Sequence, residues 1–133
     1  PALQLLIYPV TDWEWKGGSM DSCANVYPLT ADIMSWFAGL YLNDAAEAKD
    51  VRVSPMKEPD LTGLAPAIVV TAGFDPLRDQ GADYAEKLKA AGVAVTYRCE
   101  DSLAHAFTAM TGVVPAAKAA CEKIAADVGR VLN

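Results

Sequence analysis

Two short apolar runs in the second half of this chain, each followed by a segment of helical periodicity, restrict it to a small set of folds. The first run, Ala67-Ile68-Val69-Val70-Thr71-Ala72, is apolar at nearly every position and stops at Gly73. Unbroken runs of this kind suit strands covered by helices on both faces, where no position meets water. From Gly81 to Ala91 the residues Tyr84, Ala85, Leu88 and Ala91 fall on one helical face, with Gly92 at the stop position. A strand from Val93 to Tyr97 follows, then a loop from Glu100 to His105. Pro115 suits the first turn of a last helix, where its missing N–H costs nothing. Ala117, Ala120, Cys121, Ile124, Val128 and Val131 form that helix's buried stripe. Strand, helix, strand, helix implies parallel strands joined by right-handed crossovers, with the helices packed on the sheet. The fold class is α/β, and the sheet needs further strands.

The first half supplies one of them. Leu3-Gln4-Leu5-Leu6-Ile7-Tyr8 is a nearly continuous apolar run closed by Pro9. Lys16 to Asn25 reads as a loop. A helix from Ile33 to Leu42 follows, with Ile33, Trp36, Phe37, Leu40 and Tyr41 at helical spacing. Thr30 is its N-cap, and Asp32 sits at the positive end of its dipole. Asn43 to Gly63, with Pro55 and Pro59, reads as a long surface connection.

Composition narrows the function classes. At 133 residues, with 53% hydrophobic and 21% charged residues, the chain is sized for one domain and is not of disordered composition. A net charge of −6 without a basic cluster argues against nucleic acid and against an anionic membrane surface. No apolar run is long enough for a membrane span. Cys23, Cys99 and Cys121 are widely spaced and lack a Cys-x-x-Cys pair, which fits free thiols in a reducing, cytoplasmic compartment. The single histidine excludes a metal centre built from several imidazoles within this chain.

Topology brings two reactive groups together. Asp75 lies just past the carboxyl end of one parallel strand, and His105 in the loop after the next. Neighbouring strand ends lie about 5 Å apart, on the sheet edge where open α/β folds bind ligands. A carboxylate beside one ring nitrogen fixes the tautomer of an imidazole and supports its protonated form. The alternatives are a solvated loop histidine and an Asp-Pro turn. Asp79 is a rival acid, read instead as the N-cap of the helix from Gly81 or as an ion pair with Arg78. Asp101 is a second rival, read as solvated. Trp36, Phe37 and Phe107 could line a pocket; the first two read as core, and Phe107, beside the base, is the substrate-binding candidate.

The run Thr71-Ala72-Gly73-Phe74-Asp75-Pro76-Leu77-Arg78-Asp79-Gln80-Gly81 resembles the Asp-Pro-Leu-Arg-Asp-x-Gly signature of bacterial hormone-sensitive-lipase-like esterases, α/β-hydrolases of the arylacetamide-deacetylase type. His105-Ala106-Phe107 resembles that family's His-Gly-Phe, with Ala106 a departure from glycine. Tyr8-Pro9 and Val53-Ser54-Pro55 extend the likeness over nearly the whole chain. The resemblance implies the carboxyl-terminal portion of an α/β-hydrolase fold, with residues 1–133 forming part of one domain. It implies Asp75 as the triad acid and His105 as the base, in the acid-then-base order found downstream of the nucleophile. No cofactor or metal is implied, and the substrate would be a small ester.

None of Ser19, Ser22, Ser35, Ser54 and Ser102 sits in a Gly-x-Ser-x-Gly elbow, and no His-Gly-Gly run is present. The nucleophile is therefore expected on an amino-terminal half, in the same polypeptide or a separate chain, and residues 1–133 alone are expected to be inactive. Two other readings stand beside the ester hydrolase. One is a non-catalytic binding or dimerisation module, pairing as a homodimer through the Val93 to Tyr97 strand and the last helix. The other is amide or lactone cleavage by the same acid and base.

Overall fold

A computed structural model describes residues 1–133. Three strands, β1 (Gln4–Ile7), β2 (Ala67–Phe74) and β3 (Val95–Ala104), form one parallel sheet in the order β1-β2-β3. The helices are α1 (Ser19–Ser22), α2 (Ala31–Tyr41), α3 (Arg78–Ala90) and α4 (Pro115–Leu132). Short 3₁₀ turns cover Ala45–Lys49, Pro55–Lys57 and Phe107–Met110.

The unbroken apolar character of β2 follows from its central place. Ile68, Val70 and Ala72 point to one face and pack with Leu103, Phe107, Ala117, Ala120 and Ile124. Ala67 and Val69 point to the other and pack with Tyr84, Ala85, Leu88 and Val93. Each fully buried Val, Leu or Ile side chain contributes about 1.5–3 kcal/mol, so these two layers dominate the stability of the unit. Gly81 brings α3 close to the sheet: a Cβ there would stand 2.7 Å from Thr71 Cγ2. Gly92, at φ +81°, turns the chain from α3 toward β3.

Several expected boundaries move. Helix α3 begins at Arg78 rather than Gly81, with Leu77 at its N-cap and no side-chain cap. Asp79 therefore lies inside the first turn and does not cap it. Strand β3 runs to Ala104, so residues 100–104 are strand and not loop. Residues 98–101 carry charges on an edge strand, which masks the pattern. The stretch from Lys16 to Asn25 contains α1 and the fully buried Ser19. Residues 43–63 bury Ala48, Ser54 and Leu61, so that connection is packed rather than merely superficial.

The N-cap of α2 is as expected: Thr30 Oγ1 accepts from the Ile33 N–H at 3.2 Å. Its stripe is not. Only Met34 is buried, against Leu29 and Leu77, while Trp36, Phe37, Leu40 and Tyr41 are exposed. The helix rests on the loops after β1 and β2 and not on the sheet, so one narrow face suffices. On α4, Ala117, Ala120 and Ile124 are buried, but Val131 is 38% exposed and the buried polar member is Asp127. Asp127 bonds Arg98 of β3 through Nε and through Nη2 at 3.0 Å, and also bonds Arg130. All three cysteines are free, Cys23 buried and the others half-buried. No helix is long and apolar enough to cross a membrane.

Candidate active site

The site forms where β2 and β3 end on the same edge of the sheet. Asp75 follows β2 and is wholly buried. Its Oδ1 accepts from the Leu77 N–H at 2.8 Å, which holds the Asp75–Leu77 turn closed. Its Oδ2 lies 2.8 Å from His105 Nδ1. Facing an accepting carboxylate oxygen, Nδ1 is the donor, so in the neutral imidazole the lone pair falls on Nε2. The carboxylate is thus locked to its own backbone on one side and holds the ring on the other. The His105 side chain retains 20% exposure, so the ring is not sealed from solvent.

A residue from β1 completes the setting. Tyr8 lies at φ +40°, just past the strand, and its ring centroid is 4.4 Å from that of His105. Its hydroxyl shares a 2.5 Å hydrogen bond with Thr108 Oγ1, and its ring meets Phe107 edge-on at 5.5 Å. Tyr8 was legible only as part of a Tyr-Pro pair, because an aromatic ending an apolar run looks like core. Phe107 takes a different place from the one expected. It is fully buried between β2 and α4 and does not line the pocket beside His105. It backs Tyr8 instead. Ala106 lies at φ +61°, the left-handed region that glycine enters without strain.

The remaining residues of the Asp75-to-Gly81 motif hold neighbouring loops. Asp79 Oδ2 accepts from the Ser19 N–H at 2.7 Å, and Ser19 Oγ accepts from the Asp79 N–H at 3.0 Å. Asp79 Oδ1 takes Arg78 Nε at 2.8 Å, and Arg78 Nη1 donates to the Gly73 carbonyl at 3.0 Å. Burial pushes the Asp79 carboxyl up, but the Arg78 guanidinium and the Ser19 N–H outweigh it and hold it below its ordinary value. Gln80 Oε1 accepts from the N–H groups of Thr11 and Asp12 at 2.7 and 3.0 Å. Asp79 is therefore an anchor, not an acid in the site. Asp101 is exposed, as expected.

An apolar pocket of about 350 Å³ opens beside His105, walled also by Tyr8, Val10, Trp13, Leu29, Phe37 and Leu77. An imidazole at the rim of an apolar recess suits chemistry on a polar bond flanked by apolar groups. None of the chain's serines hydrogen-bonds His105. Ser19 and Ser54 are fully buried, with Ser19 Oγ donating to the Pro76 carbonyl at 2.8 Å and Ser54 Oγ accepting from the Trp13 N–H at 3.0 Å.

A parallel sheet with helices on both faces, and an Asp–His pair on the carboxyl ends of adjacent strands, defines a class of α/β protein. The chain belongs to the alpha/beta hydrolase fold family, whose sequence model matches residues 1–109. It is 46% identical over 108 residues to the carboxylic ester hydrolase LipN of Mycobacterium tuberculosis, covering 80% of this chain and 29% of LipN. It is 36% identical over 133 residues to the carboxylesterase NlhH of the same organism, covering 98% and 42%. A thermostable esterase from Pseudomonas putida ECU1011 superposes with a TM-score of 0.87 at 39% identity, covering 92% of this chain and 40% of that one. A Pyrobaculum calidifontis esterase gives 0.89 at 33% identity, covering 95% and 42%. The likeness to hormone-sensitive-lipase-like bacterial esterases drawn from the Asp75-to-Gly81 motif agrees with these relatives. The chain spans less than half the length of each.

Proposed function

We propose that residues 1–133 supply the acid, Asp75, and the base, His105, of a serine carboxylic ester hydrolase. The observation that carries this reading is the 2.8 Å Asp75–His105 bond at the rim of an apolar pocket. A serine hydroxyl attacks the ester carbonyl, and His105 Nε2 takes its proton. Collapse of the tetrahedral intermediate breaks the bond to the alkoxy group, which receives that proton from His105. Water then attacks the acyl-enzyme by the same route, releasing the acid and restoring the serine. Asp75 keeps the ring in the productive tautomer and supports the imidazolium formed in each half-reaction.

The serine and the oxyanion donors are assigned to the part of the hydrolase outside residues 1–133. The engaged hydroxyls of Ser19 and Ser54 support that assignment. The domain is then completed by an amino-terminal half, and residues 1–133 alone are inactive. Labelling the complete hydrolase with a fluorophosphonate tests this. The expected adduct is on one serine outside residues 1–133, and labelling is abolished by His105→Ala. A protein that takes no label, or an adduct on a serine within residues 1–133, would count against the reading.

A further inference from the structure

We infer that Trp13 is a specificity-determining residue, the partition that sets how long a straight-chain arm of the ester can be. This rests on the esterase reading above. Trp13 lines the pocket of about 350 Å³ at His105, a cavity of about 210 Å³ beyond it, and an outer recess of about 350 Å³ on α2. Met34 shares the first boundary and Phe37 the second, but Trp13 belongs to both.

The two extensions differ in chemistry. The smaller is bordered by Asp12 and by Trp15, whose indole N–H is buried without a partner. The outer recess is formed only by Trp13, Phe37, Leu40 and Tyr41, so it suits a hydrocarbon chain. Leu40 and Tyr41 are 66% and 59% exposed on a helix whose sequence reads as core. A chain leaving the pocket past Trp13 would cover them. The indole stacks on Tyr41 with centroids 5.6 Å apart, and the backbone beneath is held independently by Ser54 Oγ and, one residue earlier, by Gln80 Oε1. Removing the ring therefore opens the partition without releasing the loop.

The test compares the complete hydrolase with its Trp13→Ala and Trp13→Phe variants on two series, 4-nitrophenyl esters from acetate to dodecanoate and alkyl acetates from ethyl to octyl. Each newly buried methylene is worth about fourfold in binding. In Trp13→Ala, kcat/KM for chains at least two methylenes beyond the parent's optimum should rise by about tenfold relative to the optimum ester, mainly through KM. Trp13→Phe should fall between. A merely structural defect would lower kcat on all esters and leave the length profile in place, which overturns the inference. If the complete protein hydrolyses no ester, the esterase reading fails on its own. Calorimetric binding of straight-chain alcohols from butanol to decanol then decides the partition. A longer optimum in Trp13→Ala supports it, and an unchanged one overturns it.

Discussion

Gly73 of β2 and Asp101 of β3 meet backbone to backbone: a Cβ at Gly73 would stand 2.0 Å from the Asp101 carbonyl oxygen. The contact sits inside a register shift. Ala72 pairs with Glu100 but Phe74 pairs with Ala104, so β3 spends four residues where β2 spends two. The bulged chain folds over the glycine, and the next residue after the re-formed pair is His105. The bulge thus sets the imidazole level with Asp75.

Gly73→Ala should therefore harm both stability and site geometry. The methyl must push the Asp101 carbonyl away, at a cost of about 1–3 kcal/mol, typical of overpacking. Urea unfolding would report the first effect. A crystal structure would report the second, as a lengthened Asp75–His105 distance.

Asp79→Asn should loosen the loop carrying Ser19. A charged acceptor for the Ser19 N–H and the Arg78 guanidinium is lost, worth about 1–3 kcal/mol before solvent screening at this partly exposed site. The sign of the pH effect follows from the depressed carboxyl of Asp79. Its stabilising contribution is complete above the unfolded value, near 3.8, and disappears as pH falls through the lower folded value. The stability gap between parent and variant should be constant above about pH 5 and shrink below about pH 4. Chemical denaturation across pH 3–7 would check it; a gap that widens in acid would contradict the assignment.

Ala106→Gly should stabilise the chain slightly. A left-handed alanine costs about 1–2 kcal/mol, and the added freedom of glycine in the unfolded chain returns about 0.4–1 kcal/mol of that. The expected net gain, between zero and about 1.6 kcal/mol, would appear as a Tm higher by a few degrees.

Asp127→Ala should detach the last turns of α4 from β3. Arg98 and Arg130 lose their shared acceptor, and Arg98 is left two-thirds covered. A loss of about 1–3 kcal/mol is expected, together with faster amide exchange in α4.

Much of this was readable from the residues, for physical reasons. β2 declares itself because a strand covered on both faces must be apolar throughout. α3 declares itself through Tyr84, Ala85 and Leu88 on one face with Gly92 behind them. Asp75 and His105 could be paired from strand order alone. The end of β3 was hidden because an edge strand tolerates Arg98, Glu100 and Asp101. The aromatic stripe of α2 misled because hydrophobicity alone does not say whether a face is covered. The Asp79–Ser19 exchange was also out of reach, since it joins residues sixty positions apart.

The most direct test of the proposed mechanism is Asp75→Asn in the complete hydrolase, assayed on a short acyl ester. The amide keeps the shape of the carboxylate but not its charge or its two acceptor oxygens, and so favours the wrong tautomer of His105. The fold should stay intact while kcat falls by roughly 10⁴. A folded variant with near-normal turnover would contradict it.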